Sequence, residues 1–228
     1  MVTAHVSRGT RTRRRRGAAD DGAADPAGEM NVEFWFEFGS TYSYPAAMRV
    51  EALAAERGVS VSWRAFLLGP IFRAQGWNDS PFNLYPSKGR YMWRDLERIC
   101  EAQGIAFRRP SAFPRNGLLA ARVACRFAEA PWLPGFVRAV YRANFEQDVD
   151  ISTPATVGRC LADSGEDPAA VLEEAQSPES KARLRAQTEE AVGHGIFGAP
   201  SFRVGRELFW GNDRLEDALL CYPEGSST

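Results

Sequence analysis

The sequence lacks a CxxC pair, and it has only two histidines and four widely separated cysteines. A dithiol redox centre needs two cysteines at short spacing, and a zinc site of the ribbon type needs several Cys or His ligands close together. The sequence therefore excludes both centres and predicts no metal site. Cys100, Cys125 and Cys160 fall in helical patterns, which indicates small buried side chains in a reducing compartment, and we expect a cytoplasmic protein.

Long apolar runs and an excess of charge of either sign are also missing. No segment approaches the ~20 apolar residues that a membrane-spanning helix requires. The 28 basic and 29 acidic residues nearly cancel, which gives no electrostatic reason to expect a nucleic-acid or membrane partner. With 228 residues, 44% of them hydrophobic, the chain can bury the core of one large domain or two small ones.

Residues 1–29 have almost no large apolar side chains and consist mainly of Arg, Gly, Ala and Asp. We expect a disordered tail with basic and acidic residues, because this segment cannot bury enough surface to offset the entropy of ordering it. An export signal would need an apolar segment after the arginines, whereas "GAADDGAAD" follows them. A start at Met30 and a basic targeting tract remain open as alternatives. Residues 222–228 are predicted to form a second, short tail.

From Met30 onwards the first pattern is strand, helix, strand. In "VEFWFEF", Val32, Phe34, Phe36 and Phe38 alternate with Glu33, Trp35 and Glu37, which predicts a strand. The stretch "YSYPAAMRVEALAAERG" has helical spacing, and "VSVSWRAF" predicts a second strand. This β-α-β order implies a parallel pair of strands.

Between Leu67 and Ile196 the pattern is almost wholly helical. Asn116, Thr153 and Ser177 are predicted helix caps. The helices are predicted near residues 87–103, 117–129, 134–146, 154–163, 168–176 and 178–194.

The last segment, "GAPSFRVGRELFWGNDRLEDALL", predicts two strands that join at Gly205–Arg206, followed by a helix. The whole order is β-α-β, a helical insertion, then β-β-α. It predicts an α/β protein with a thioredoxin-like fold and an inserted all-helical domain. Residues 30–66 and 197–221 would form the thioredoxin-like domain, and residues 67–196 would form the insertion.

The turn between the first strand and the first helix contains "STYS", residues 40–43. Free backbone N–H groups and the positive end of the helix dipole meet at such a turn and stabilise an anion. Ser40 and Ser43 have the CxxC spacing, but a serine cannot become a thiolate near neutral pH. A bound glutathione could supply the thiol, and the Ser40 hydroxyl would then donate a hydrogen bond to its sulfur and lower its pKa. The alternative is that both serines are only helix caps.

A second feature of the site is "GAPSF", which precedes the third strand. In thioredoxin-like proteins a cis-proline at this place faces the helix N-terminus, and the peptide group before it pairs with an extended peptide ligand. Ala199–Pro200 is therefore the predicted cis bond, and its backbone is the predicted ligand clamp.

Several stretches together resemble the 2-hydroxychromene-2-carboxylate isomerase family, which is related to the kappa-class glutathione transferases in the DsbA-like branch of the thioredoxin fold. The similarity runs from about Met30 to Cys221. It departs from the family at Thr41, where proline is usual, and in a longer segment after "GWN". The matching stretches are "FWFEFGSTYSY", "FLLGPIFRAQGWN", "SKGRYMWRDLER", "FPRNGLLAAR", "GIFGAPSF" and "ELFWGNDRLEDAL".

The resemblance implies glutathione as cofactor, a small aromatic carboxylate as substrate, and Ser40 as the catalytic residue that holds the thiolate. It is also compatible with a homodimer. The residues implied to hold glutathione are Ser40, Lys88, Ala199, Pro200, Asn212 and Asp213, and those implied to contact the substrate are Asn78, Lys88 and Tyr91.

Other interpretations of these residues stay open. Asn83 competes with Asn78 for one role. In isolation, Lys88 is a solvated helix residue, Tyr91 packs inside an amphipathic helix, and Asp213 interacts only with a helix dipole. An aromatic pocket could be lined by Phe66, Phe72, Trp77 and Trp93.

The reaction implied by the resemblance is an isomerisation by reversible thiolate addition, bond rotation and elimination, with glutathione regenerated. Two other functions remain open. A kappa-like transferase would use the same residues and consume glutathione. A non-catalytic thioredoxin-like binding module would not bind glutathione at all.

The first prediction concerns residues 1–29. A chain that begins at Met30 should keep the melting temperature and the glutathione affinity of the full chain, because the tail has no apolar surface with which to pack. Thermal denaturation and calorimetric titration of both chains measure the two quantities. A clear loss of either in the shorter chain would show that the arginine run has a structural role.

Overall fold

A computed structural model describes residues 31–221 of the protein, so both predicted tails, 1–29 and 222–228, lie outside the described residues. The described part begins with β1 (Asn31–Phe36), α1 (Ser43–Ala55) and β2 (Ser60–Ala65). It ends with β3 (Ser201–Val204), β4 (Glu207–Trp210), a 3₁₀ turn (Asn212–Arg214) and α10 (Leu215–Leu220). The segment between them contains α2 (Leu68–Ala74), α3 (Pro81–Leu84), α4 (Pro86–Ala102), α5 (Leu118–Arg126), α6 (Leu133–Phe145), α7 (Pro154–Asp163), α8 (Pro168–Ala175) and α9 (Pro178–Gly193).

The four strands form one sheet in the order β2-β1-β3-β4. β1 and β2 are parallel, with Phe34 opposite Trp63. β3 lies antiparallel to β1, with Phe202 opposite Phe34, and β4 lies antiparallel to β3. This mixed sheet with a helical insertion confirms the predicted thioredoxin-like α/β fold.

The two faces of the central strand β1 pack into different clusters because successive strand residues point to opposite sides. Phe34 and Phe36 belong to the larger core, where Phe34 stacks on Phe202 with ring centroids 5.4 Å apart. Trp35 points to the other face and is fully buried against Phe66, with Ala191 of α9 in the same cluster. Helix α9 therefore covers the face of the sheet opposite to α1.

The helix starts follow the predicted capping residues. The Thr153 hydroxyl accepts the N–H of Thr156 at 3.2 Å, and the Ser177 hydroxyl accepts the N–H of Ser180 at 3.1 Å. Both side chains supply an acceptor to a first-turn N–H that has no partner within its own helix. Helix α5 begins one residue later than predicted, because Gly117 and not Asn116 occupies its cap position. The Asn116 side chain still accepts the N–H of Leu118, at 2.9 Å.

The cysteines lie where the sequence predicts them. Cys100, Cys125 and Cys160 are buried and Cys221 is exposed, and all four are free. Burial raises the pKa of the Cys100 thiol to about 12, which makes it unreactive. Within residues 31–221, no group of three or more His, Cys, Asp or Glu side chains could hold a metal ion, and no helix is long and apolar enough to cross a membrane.

A buried arginine joins the loop before α5 to the end of α6. Only 8% of Arg115 is exposed, and its guanidinium donates to the carbonyls of Asn144 and Val149 and contacts the carboxylate of Asp148. The Asn144 amide in turn donates to the carbonyl of Phe38, at 3.1 Å. This network therefore connects α6 and the loop before α5 to Phe38, which lies just after β1.

Asp148 is the acidic member of this network, and its backbone is left-handed with φ of 57°. The Ser111 N–H and then the Arg115 guanidinium lower the pKa of Asp148 to about 2. A carboxyl whose pKa is lower in the folded than in the unfolded chain stabilises the fold above its unfolded pKa of about 3.9, and the contribution is lost as the pH falls towards the folded value.

Asp148→Asn should therefore reduce the melting temperature at pH 7 and flatten its decline between about pH 4 and pH 2. Asparagine tolerates the left-handed backbone, so the substitution mainly removes the charge. Thermal denaturation at a series of pH values measures the effect, with Asp163→Asn, at an exposed position, as the control that keeps the wild-type decline. An unchanged acid decline in Asp148→Asn would contradict the assignment.

Candidate functional site

The turn between β1 and α1 presents unused backbone donors next to Ser40. The Ser40 N–H donates to the carbonyl of Glu37 at 3.0 Å, and the Tyr44 N–H donates to the carbonyl of Thr41 at 3.3 Å. Within residues 31–221, the N–H groups of Thr41 and Tyr42 have no acceptor. Since α1 begins at Ser43, these donors lie at the positive end of its dipole, where an anion is stabilised.

Ser40 meets the predicted clamp, which lies 159 positions further along the chain. Its hydroxyl donates to the carbonyl of Ala199 at 2.9 Å, and the Ala199–Pro200 bond is cis, which confirms the prediction. The Gly211 N–H donates to the Pro200 carbonyl at 3.0 Å, and the Ser201 hydroxyl donates to the Gly198 carbonyl at 2.9 Å. The clamp is therefore held in place on both sides.

The capping alternative for Ser40 has weaker geometric support than this contact. The Ser40 oxygen is 3.4 Å from the N–H nitrogen of Ser43, at the long end of the range for a hydrogen bond. The Ser43 hydroxyl is fully buried and lies next to Tyr141. The two serines therefore differ, because only Ser40 faces the clamp.

Helix α4 contacts the turn through two side-chain hydrogen bonds. The Thr41 hydroxyl donates to the sulfur of Met92 at 3.1 Å, and the Tyr42 hydroxyl donates to the carboxylate of Asp95 at 2.9 Å. Burial, and then the bond to Asp95, raise the pKa of Tyr42 above its ordinary value. The helix that carries Lys88 is thus held against the Ser40 turn.

The two α4 residues predicted to contact substrate lie on the outside of the helix. Lys88 is exposed, with its ammonium nitrogen 4.8 Å from the centre of the Tyr85 ring. Tyr91 is 64% exposed, which overturns the interpretation that it packs inside, whereas Leu96 is fully buried.

The neighbouring residues Asn212 and Asp213 have different environments. Asn212 is buried, and its side-chain oxygen accepts from the guanidinium of Arg49 at 3.0 Å. Asp213 is exposed and can reach a ligand. Asn212 therefore positions the turn that carries Asp213.

The other predicted pocket residues do not all reach the site. Asn78 and Asn83 are both exposed, and the Asn83 amide donates to the Asp79 carboxylate and to the carbonyl of Phe113. The expectation that Phe66 lines a pocket is wrong, because it is fully buried against Trp35. Trp93 is buried against Phe113, with ring centroids 4.9 Å apart, and Phe72 and Trp77 form a half-buried pair.

An exposed aromatic pair next to the clamp was not predicted. Phe197 and Trp210 are 45% and 53% exposed, and their ring centroids are 4.8 Å apart. Trp210 covers Gly198 so closely that a Cβ there would lie 2.4 Å from its ring nitrogen. The sequence contains a signal for this pair, since "IFGAP" and "LFW" both end beside the clamp once β3 and β4 are paired.

Glu37 was also missed as a site residue. It follows β1 directly, and its carboxylate accepts the N–H of Gly39 at 2.9 Å. Burial raises the pKa of Glu37 to about 7, and the N–H groups of Gly39 and Ser40 oppose this shift. The signal in the sequence is a carboxylate between Phe36 and Phe38, where an apolar run approaches the turn.

Comparison with known proteins gives consistent results. The family described as a DSBA-like thioredoxin domain matches residues 31–220. The chain is 33% identical over 194 residues to a 2-hydroxychromene-2-carboxylate isomerase of Pseudomonas putida, a match that covers 82% of this chain and 91% of the relative. A glutathione S-transferase kappa 2 of Caenorhabditis elegans is 27% identical over 201 residues, with 81% of this chain and 88% of the relative covered.

The solved structures include a 2-hydroxychromene-2-carboxylate isomerase that is 30% identical to this chain, with a TM-score of 0.70 and a coverage of 82% of this chain and 91% of that one. The family match over residues 31–220 includes the Ser40 turn, the helical insertion and the Ala199–Pro200 clamp. The protein therefore belongs to the DsbA-like thioredoxin family and, within it, to the 2-hydroxychromene-2-carboxylate isomerases.

Proposed function

We propose that the protein is a glutathione-dependent isomerase of an aromatic acid of the 2-hydroxychromene-2-carboxylate type. The observation that carries the proposal is the 2.9 Å contact between the Ser40 hydroxyl and the Ala199 carbonyl, because it joins an anion-stabilising turn to a peptide clamp. The isomerases among its relatives support the same reaction class. A cytoplasmic location and a homodimer are part of the same proposal.

The residues around Ser40 fit glutathione. The N–H groups of Thr41 and Tyr42, which lack an acceptor within the described residues, can donate to a thiolate. Ala199 can pair with the cysteinyl backbone of the tripeptide, as the edge of a sheet pairs with an extended peptide. The exposed carboxylate of Asp213 can accept from the γ-glutamyl ammonium group.

Ser40 has one hydroxyl proton, and it is directed to Ala199. To donate to a thiolate the side chain must rotate away from this carbonyl. The rotation leaves the Ala199 carbonyl free to accept an N–H from the bound peptide, so binding at the clamp and stabilisation of the thiolate support each other. A serine nucleophile would need a general base, and within residues 31–221 no side chain accepts the Ser40 hydroxyl proton.

When bound, glutathione supplies a nucleophilic thiolate for reversible addition to the conjugated substrate, which allows a double bond to rotate. The protein orients the two molecules and stabilises the anion. Lys88 is an exposed cation near the start of α4, the helix that packs against the Ser40 turn, and we assign it to the carboxylate of the substrate. Tyr91 and Asn78, both exposed, are assigned to the same side of the substrate.

A kappa-like transferase is the second candidate, because a kappa-class glutathione transferase is among the relatives. The two activities differ in whether glutathione is consumed. Chromene and benzylidenepyruvate acids should be tested as substrates while the isomeric product and the total glutathione are measured together. Product formation with constant glutathione supports the isomerase, stoichiometric loss of glutathione supports the transferase, and absence of glutathione binding contradicts both.

Ser40→Ala should raise the pKa of the bound glutathione thiol by about one to two units. A hydrogen bond to an anion contributes roughly 1.5–3 kcal/mol, and one pKa unit corresponds to about 1.4 kcal/mol. Glutathione affinity should fall only modestly, since the Ala199 clamp remains. Ultraviolet absorbance of the thiolate against pH measures the shift, and activity should recover partly at high pH.

Ser43→Ala is the matched control for this experiment, because it removes the hydroxyl of the second serine of the turn, which is fully buried. The thiol pKa should stay at the wild-type value in this variant. A wild-type thiol pKa and full activity in Ser40→Ala would mean that Ser40 is only a helix cap.

Lys88→Met should raise the KM for the aromatic acid by about tenfold and leave the thiol pKa unchanged, because one charge-assisted hydrogen bond to the substrate is lost. Steady-state kinetics measures this change. The control is Lys181→Met at the exposed Lys181 of α9, which should keep the wild-type KM. An equal KM in both variants would remove Lys88 from the site.

A further inference from the structure

Glu37 has a position that the proposed chemistry does not require. Its carboxylate reaches forward along the chain and accepts the N–H of Gly39 at 2.9 Å, while its own carbonyl accepts the N–H of Ser40 at 3.0 Å. The turn that carries Ser40 is thus held by both acceptors of one residue.

The space around this turn is closed on the side away from the clamp. A Cβ on Gly39 would lie 3.1 Å from the carbonyl oxygen of Arg115, 3.1 Å from the Glu37 carboxylate and 3.3 Å from Pro114. From α6, the Tyr141 hydroxyl donates to the Glu37 carbonyl at 2.9 Å. The turn therefore has no free space on the side of Arg115 and Pro114.

No cation neutralises the Glu37 carboxylate within residues 31–221. The guanidinium of Arg115, whose backbone packs against Gly39, is directed to Asp148. Tyr141 is the titratable group that faces Glu37 from α6, and burial followed by the Glu37 charge raises the pKa of Tyr141. From α1 the turn meets Ser43, which is uncharged. The backbone N–H groups of the turn are therefore the main partners of this carboxylate.

We propose that Glu37 is a positioning residue. Its ionised carboxylate accepts the Gly39 N–H and thereby holds Ser40 at the distance from which it reaches Ala199. Protonation of Glu37 weakens this hydrogen bond. The neutral acid is a weaker acceptor, since hydrogen bonds to ionised groups are about twice as strong as neutral ones.

The titration of this residue falls in the neutral range. Burial raises the pKa of Glu37 to about 7 from an ordinary value of 4.5. A carboxyl whose pKa is higher in the folded than in the unfolded chain stabilises the fold at pH values below its unfolded pKa. This contribution is lost as the pH rises through the folded pKa. The fold should therefore lose stability between about pH 4.5 and pH 7, while the hydrogen bond from the Gly39 N–H to Glu37 becomes stronger over the same range.

The first test uses the protein without glutathione, so it does not depend on the proposed function. In ¹⁵N spectra recorded from pH 5 to pH 9, the amide signals of Gly39 and Ser40 should titrate with a midpoint near 7. Glu37→Gln, which keeps an acceptor of the same shape, should abolish this titration and the loss of melting temperature with rising pH. Glu33→Gln, four residues earlier on β1 and paired with Arg203, should leave both unchanged.

The ¹³C signal of the Glu37 carboxyl in the wild-type protein decides the question even if a variant does not fold. A midpoint near 7 that coincides with that of the Gly39 amide supports the proposal. A carboxyl midpoint near 4.5, or amide signals that still titrate in Glu37→Gln, would overturn it.

The second test rests on the proposed function. Glu37→Ala should lower the isomerisation rate about tenfold across the pH range, and Glu37→Gln should restore most of it with a pH profile that contains only the thiol titration. Wild-type profiles in both variants would overturn the role of Glu37 in catalysis. If no protein isomerises any substrate but the amide titration is observed, the proposed function fails while the positioning of the turn by Glu37 stands.

Discussion

The contact between the Ser40 hydroxyl and the Ala199 carbonyl is the interaction on which the arrangement of the site depends. It exists because β1 and β3 are neighbours in the sheet, although the helical insertion separates them in the chain. Antiparallel pairing of these strands, with Trp35 opposite Ser201, places the end of one beside the start of the other. An anion-stabilising turn and a peptide clamp then face each other without any further structure.

The helical insertion contributes through a few specific contacts. Met92 and Asp95 of α4 bond to the two residues that follow Ser40, so that a helix with a lysine and an exposed tyrosine borders the turn. Helix α9 covers the opposite face of the sheet through Ala191. The same insertion that separates the two halves of the site in sequence therefore also supports the sheet that joins them.

Two carboxylates near the turn, those of Glu37 and Asp148, have opposite effects on the stability of the fold. Arg115 and Asp148 form a satisfied network that favours the fold at neutral pH. Glu37 is held by backbone N–H groups alone within the described residues, and its ionised form costs stability. A residue with such a cost next to Ser40 is expected to act on the turn, since catalytic sites commonly contain groups with shifted pKa values.

The sequence by itself determined the order of elements, the caps at Thr153 and Ser177, the cis bond before Pro200 and the pairing of a serine turn with a peptide clamp, because these depend on local periodicity, capping chemistry and motifs with a known context. It also determined the absence of a dithiol centre. Only the tertiary structure decided that Phe66 is core, that Tyr91 is exposed, that Asn83 is bonded to Asp79 and Phe113, and that Phe197 and Trp210 border the clamp. These outcomes depend on which residues from distant segments become neighbours, and the spacing of residues along one segment contains no information about packing against another.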